Sequence, residues 1–188
     1  MHGPPLVDWL LVVVSAATGA YCLARIRAGA ADGHEAVGSD ALMGLGMAVM
    51  AVPGALPGTR PWGAAVFAAV FAADGLRALL VARGHPETLH LHHAVGAFAM
   101  VYMALAMAGA DGGGHAEHVQ GPHEPAGTPL LTGLLLLYFA VYVVRSVAVL
   151  VPVVALGPGE PGRPERPDLT NACRLSMGIG MLAMLLTL

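Results

Sequence analysis

The sequence predicts an all-α fold: a six-helix transmembrane bundle of three repeated helical hairpins, with helices two, four and six at its centre. Three observations predict it. The chain is 56% hydrophobic and only 11% charged, whereas soluble domains carry about 25% charged residues. Six apolar stretches, separated by Gly, Pro and charged residues, approach the roughly 20 residues that cross a bilayer. One five-residue pattern, Met-small-aliphatic-small-Met, is written three times: Met43 to Met47, Met103 to Met107 and Met177 to Met181. An internal repeat of this kind constrains architecture before any site is considered.

The spans follow in order. Residues 6–24 have no basic residue before them, so they read as a retained helix, not a signal peptide. Residues 40–56 open on Asp40, carry Met43, Met47 and Met50, and meet Pro53 and Pro57 at their far end. Residues 62–81 hold Asp74 and Arg77; Asp74 lies about 18 Å along its helix from Trp62. Residues 89–108 begin with His90, His92 and His93 and continue to Met100, Met103 and Met107. Residues 130–154 form the longest apolar run, with Arg145 inside it. Residues 171–188 open on Asn171, Cys173 and Arg174 and end in Met177, Met181 and Met184. The proline-rich run 157–167 reads as a loop, so residues 1–188 form a single integral membrane domain.

Arginine sets the direction. Arg25, Arg27, Arg83, Arg163 and Arg166 flank the odd-numbered connections, and only Arg60 lies in an even one. The positive-inside rule places the odd connections in the cytoplasm and both termini outside the cytoplasmic membrane. Helices two, four and six then run in one direction, and each odd helix carries an arginine towards its inner end. Three hairpins repeated about an axis normal to the membrane is the arrangement this describes.

The same composition excludes other classes. A net charge of −3, with no basic stripe, gives nucleic acid nothing to hold. Every basic residue is arginine and none is lysine, which points to a GC-rich, actinobacterial genome. Cys22 and Cys173 lie at the ends of apolar segments and suggest no secreted disulfide scaffold. The expected partners are the lipid bilayer and a second membrane subunit, whether another copy or a different chain.

At about 100° per residue, Asp40, Met43, Met47 and Met50 fall within about 80° of arc, and Arg174, Met177, Met181 and Met184 repeat that arc. His93, Met100, Met103 and Met107 cover a similar one, with the histidine about one turn further from its methionines. Met fills irregular apolar gaps, and the small residues between the methionines let helices touch. Thioethers also select Cu(I) over harder ions. On that reading Met43, Met47, Met103, Met107, Met177 and Met181 are metal ligands, with His90 and His93 at one end. The arrangement is similar to that of high-affinity eukaryotic copper transporters, which present a Met-x-x-x-Met helix three times about a trimer axis.

Polar residues inside a bilayer are costly and mark function by default. Asp40, Asp74, His92, Cys173 and Arg174 define an inner polar layer in which Asp40 is placed to neutralise Arg174 across the hairpins. No His-Glu-x-x-His or Cys-x-x-Cys spacing accompanies it. The outer loop, 109–128, brings His115, His118 and His123 above the Met faces, and His-rich tracts gather metal.

The polar-headed Met helix, Ser39-Asp40-Ala-Leu-Met43-x-x-x-Met47-x-x-Met50, and the His-led helix from His92 resemble an uncharacterised family of small actinobacterial multi-pass membrane proteins, a domain of unknown function. That family has a histidine near the head of helix two, where this chain has Ser39 and Asp40. The resemblance implies a membrane fold and no activity. Three functions are therefore weighed: a protein that binds or moves a soft metal such as copper; a structural or partner membrane subunit; and an intramembrane hydrolase in which His93, with Asp40 or Asp74, activates water. The sequence supplies no nucleophile motif for the last, and the balance is against an enzyme.

Overall fold

The computed structural model of the chain describes residues 5–28, 34–52, 62–84, 88–112, 128–155 and 167–187. Among them there are six helices and no strands: α1 (Pro5–Arg27), α2 (His34–Ala51), α3 (Gly63–Gly84), α4 (Thr88–Gly112), α5 (Pro129–Ala155) and α6 (Pro167–Leu186). Pro5, Pro129 and Pro167 each begin a helix; there the missing N–H would have no intrahelical partner and the fixed φ already suits the helix. At α5, the Thr128 carbonyl accepts the Thr132 backbone N–H at 3.1 Å.

The second helix departs from the expected 40–56. It starts six residues earlier, at His34, and stops at Ala51. Proline disfavours helical backbone in the residue before it and donates no hydrogen bond, so Pro53 ends the helix where hydropathy alone would extend it. Among the described residues four helices are long and apolar enough to cross a membrane, over Trp9–Arg27, Gly63–Gly84, His90–Gly109 and Pro129–Ala148, while Val37–Ala51 and Asn171–Leu186 are shorter apolar stretches. Most of α2 is surrounded by other helices.

Each odd helix packs most extensively on the even helix that follows it: α1 on α2, α3 on α4, α5 on α6. Beyond these pairs, α2 touches both α4 and α6, and α1 touches α6. Small residues make the closest seats. Gly19 and Gly44 bring the α1 and α2 backbones together: a Cβ on Gly44 would stand 2.9 Å from the Gly19 Cα. A Cβ on Gly46 would collide with the Phe71 ring, and one on Gly178 would stand 3.1 Å from Tyr142. In lipid the hydrophobic effect does not drive helices together, so close van der Waals approach and interhelical hydrogen bonds must do so.

One buried cluster unites the helices. It contains Met43, Met47, Met50, Met100, Met103, Met177, Met181 and Met184, with Phe71, Phe139 and Cys22 among its other members. The outer faces are apolar and exposed. On α5 they show Leu130, Leu131, Leu134, Leu137, Val141, Val144 and Val147. A surface of this kind is compatible with an integral membrane protein.

Candidate functional site

The three even helices lie side by side in one register. Between α2 and α4, Asp40 meets His93, Met43 meets Gly96, and Gly46 meets Met100. Between α2 and α6, Asp40 meets Arg174 and Met47 meets Gly180. The helices are therefore parallel, and Met47 is level with Met100 and Met181, Met50 with Met103 and Met184.

This register corrects the alignment of the repeated pattern, which sets Met103 beside Met43 and Met107 beside Met47. Helix α4 is displaced by two turns relative to that alignment because His93, not a methionine neighbour, is held at the level of Asp40. Met100 takes the place assigned to Met107, and Met107 is half-buried, outside the cluster. At the Met43 level α4 offers Gly96 in place of a methionine. The Met43 thioether fills that gap: a Cβ on Gly96 would stand 2.7 Å from its terminal methyl and 3.1 Å from its sulfur.

Below the methionines lies a polar triad. Asp40 Oδ1 is 3.0 Å from His93 Nε2, and Arg174 Nε donates a 3.4 Å hydrogen bond to Asp40 Oδ2. The cross-hairpin pairing of Asp40 with Arg174 expected from sequence is thus present. Asp40 is 2% exposed and His93 6%. The His93–Asp40 contact is close enough for an ion pair but out of line for a hydrogen bond, and His93 Nδ1 is buried with no hydrogen-bond partner among the described residues. A buried imidazole with one nitrogen against a carboxylate and the other unengaged has the arrangement of a ligand or a proton carrier.

Depth follows from the helix starts. At about 1.5 Å per residue, Asp40, His93 and Arg174 lie about 9, 7.5 and 10.5 Å inside their helices. They do not open the even helices, as the sequence suggests; each sits one to two turns in.

Around the triad the remaining polar residues fall into separate contacts. Asp74 accepts a 3.0 Å hydrogen bond from Ser39 Oγ, and no ion pair joins it to Arg77, which is exposed on α3. Asp40, not Asp74, is the carboxylate at His93. The His92 ring stacks on Tyr142, with centroids 3.7 Å apart and planes 13° from parallel, and its Nδ1 is 3.0 Å from the Tyr138 hydroxyl. Towards the other end of α4, Tyr102 and Thr132 hydroxyls are 2.6 Å apart. These two contacts tie α5 to α4.

Several expected ligands do not converge. Among the described residues no three His, Cys, Asp or Glu side chains gather closely enough to hold a metal ion. His90 is half-buried. His115, His118 and His123 lie outside the described residues. Sequence reasoning missed Tyr138 and Tyr142. The tyrosines stand four residues apart, one helical turn, and so share a face, a signal that was available to find them.

Comparison with known proteins adds a family and little else. No curated protein and no solved structure matches the chain. The family described as Domain of unknown function (DUF5134) matches residues 32–188, most of the polypeptide, and the chain belongs to it.

Proposed function

We propose that the protein is a multi-pass integral membrane protein that binds a soft monovalent metal ion, Cu(I), among the thioethers of its three even helices. In this reading all six helices cross the bilayer as three repeated hairpins, with the odd-numbered loops in the cytoplasm. At 18 and 20 residues, α2 and α6 measure about 27 and 30 Å, close to the roughly 30 Å hydrocarbon core. The single observation that carries the proposal is the column of buried methionines, level by level, standing on Asp40, His93 and Arg174. Met47, Met100, Met103 and Met181 are each exposed by 1% or less.

The chemistry favours this ion over others. Thioether sulfur is neutral and soft; it suits Cu(I), while Mg(II) and Ca(II) need oxygen ligands. A cation in an apolar interior is costly unless ligands replace its hydration. Asp40 supplies a fixed negative charge at one end of the column, and His93 Nδ1 supplies a further donor. Purified, reduced protein is expected to compete with a Cu(I)-specific chelator, and Met47→Leu/Met181→Leu to weaken that competition at least tenfold while leaving the fold intact. Equal competition by the double variant would reject the thioether site.

A second reading has a specific observation in its favour. The ends of Met43 and Met100 occupy space left by Gly96 and Gly46, as flexible packing residues do. On this reading the column is a packing device and the protein a structural subunit. The same experiment separates the two, since Leu preserves volume and removes only the sulfur.

A further inference from the structure

The seam between α1 and α6 pairs residues in an antiparallel register that no sequence motif announces. Ser15 lies beside Gly180, with its hydroxyl 4.0 Å from where a Gly180 Cβ would be. Thr18 and Ser176 hydroxyls are 3.4 Å apart. One turn further on, the same register sets Cys22 opposite Cys173. No disulfide joins the two cysteines; Cys22 is buried and Cys173 half-buried. Two thiols more than a hundred residues apart in sequence are thus set opposite each other by the helix register, next to the arginine that holds Asp40.

We infer that Cys22 and Cys173 form a two-thiolate site for a soft monovalent metal ion, Cu(I) or Ag(I), at the inner end of the methionine column. The inference rests on the soft-metal reading above and names a second, tighter station for the same ion. Thiolate is the softest donor a protein has and selects Cu(I) strongly, and this ion accepts two sulfur ligands. Binding releases both thiol protons, so one Cu(I) and two thiols give a complex with one net negative charge and two protons delivered to water. Burial opposes that charge; among the neighbours that act on Cys22, Asp40 opposes it as well, and Arg25 and Arg174 favour it. Arg174 thereby links the thiol pair to the triad beneath the methionines.

Cu(I) thiolates absorb in the ultraviolet where thioether complexes do not, which separates this site from the methionine column. Full-length protein in detergent, titrated anaerobically with Cu(I), should develop a thiolate-to-metal band that saturates at one equivalent. Cys22→Ser and Cys173→Ser should each abolish the band, while Met47→Leu/Met181→Leu should retain it. Cu(I) or Ag(I) should also slow alkylation of both cysteines in the unmodified protein at least tenfold, a readout that needs no variant to fold. A band that survives both serine variants, alkylation unaffected by metal, or a disulfide between the two residues in protein kept under reducing conditions would each overturn the inference. Loss of chelator competition in the methionine variant with the band intact would support both sites. An intact band with no effect of the methionine variant would support this site and reject the other.

Discussion

The terminal methyl of Met43 lies over Gly96, so close that a Cβ on the glycine would come within 2.7 Å of it. One turn below, Asp40 and His93 on the same two helices are in contact. The two contacts together fix the register of α2 against α4. They also make a contrast between glycines testable. Gly96→Ala meets only the far end of a flexible side chain, which can turn aside. Gly44→Ala meets the Gly19 backbone at 2.9 Å, and neither helix can yield without the other. Overpacking costs about 1–3 kcal/mol; Gly44→Ala should fall in that range and Gly96→Ala well below it. Thermal unfolding of both variants in detergent measures the difference.

Asp40 is the hinge of the polar layer, because it faces His93 with one oxygen and Arg174 with the other. Removing one partner of a buried ion pair costs about 3–5 kcal/mol, since the other charge is left unsatisfied. Asp40→Leu should destabilise the protein by about 3 kcal/mol, the low end of that range, because the Arg174 side chain keeps 18% of its surface exposed. Asp40→Leu/Arg174→Leu should be less harmful than Asp40→Leu alone. Chemical denaturation of the two single variants and the double variant closes the cycle.

His92 is held by shape and by one polar contact, and these can be separated. Tyr138→Phe removes the partner at 3.0 Å and should cost about 1 kcal/mol. Tyr142→Phe keeps the ring stacked on His92 at 3.7 Å but loses the hydroxyl's hydrogen bond with Ser146, so it should cost about as much as Tyr138→Phe, whereas Tyr142→Ala should cost more than either. The order of the three midpoints in a denaturation series checks the assignment.

Much of this arrangement was legible in the sequence, and what was not has particular causes. The period of the methionines revealed their faces because side chains three and four apart share one side of a helix. The pairing of Asp40 with Arg174 followed from opposite charges at matching positions of the repeat. The register of α4 did not follow. Sequence similarity set Met103 against Met43, but the Asp40–His93 contact set Gly96 there instead, and a glycine carries no signal of the methyl that fills its place. The approach of Cys22 to Cys173 was also hidden, because it depends on how α1 and α6 lie against each other, and no local pattern encodes that. The early end of α2 was written in Pro53 all along.

The proposed direction of the helices makes a separate prediction. Single cysteines placed within 109–128, in a chain whose native cysteines are serine, should react with an impermeant maleimide added outside the cell. Those placed within 157–167 should react only after permeabilisation. The reverse pattern would invert the orientation and exchange the inner and outer ends of the site.

Binding of Cu(I) by neutral sulfurs of the even helices would be read from the X-ray absorption spectrum of Cu(I)-loaded protein carrying Cys22→Ser and Cys173→Ser. In that background every remaining sulfur is a thioether. A first coordination shell dominated by sulfur, lost on adding Met47→Leu and Met181→Leu, is the predicted result. Failure to retain copper, or a shell of oxygen and nitrogen unchanged by the methionine substitutions, would contradict it.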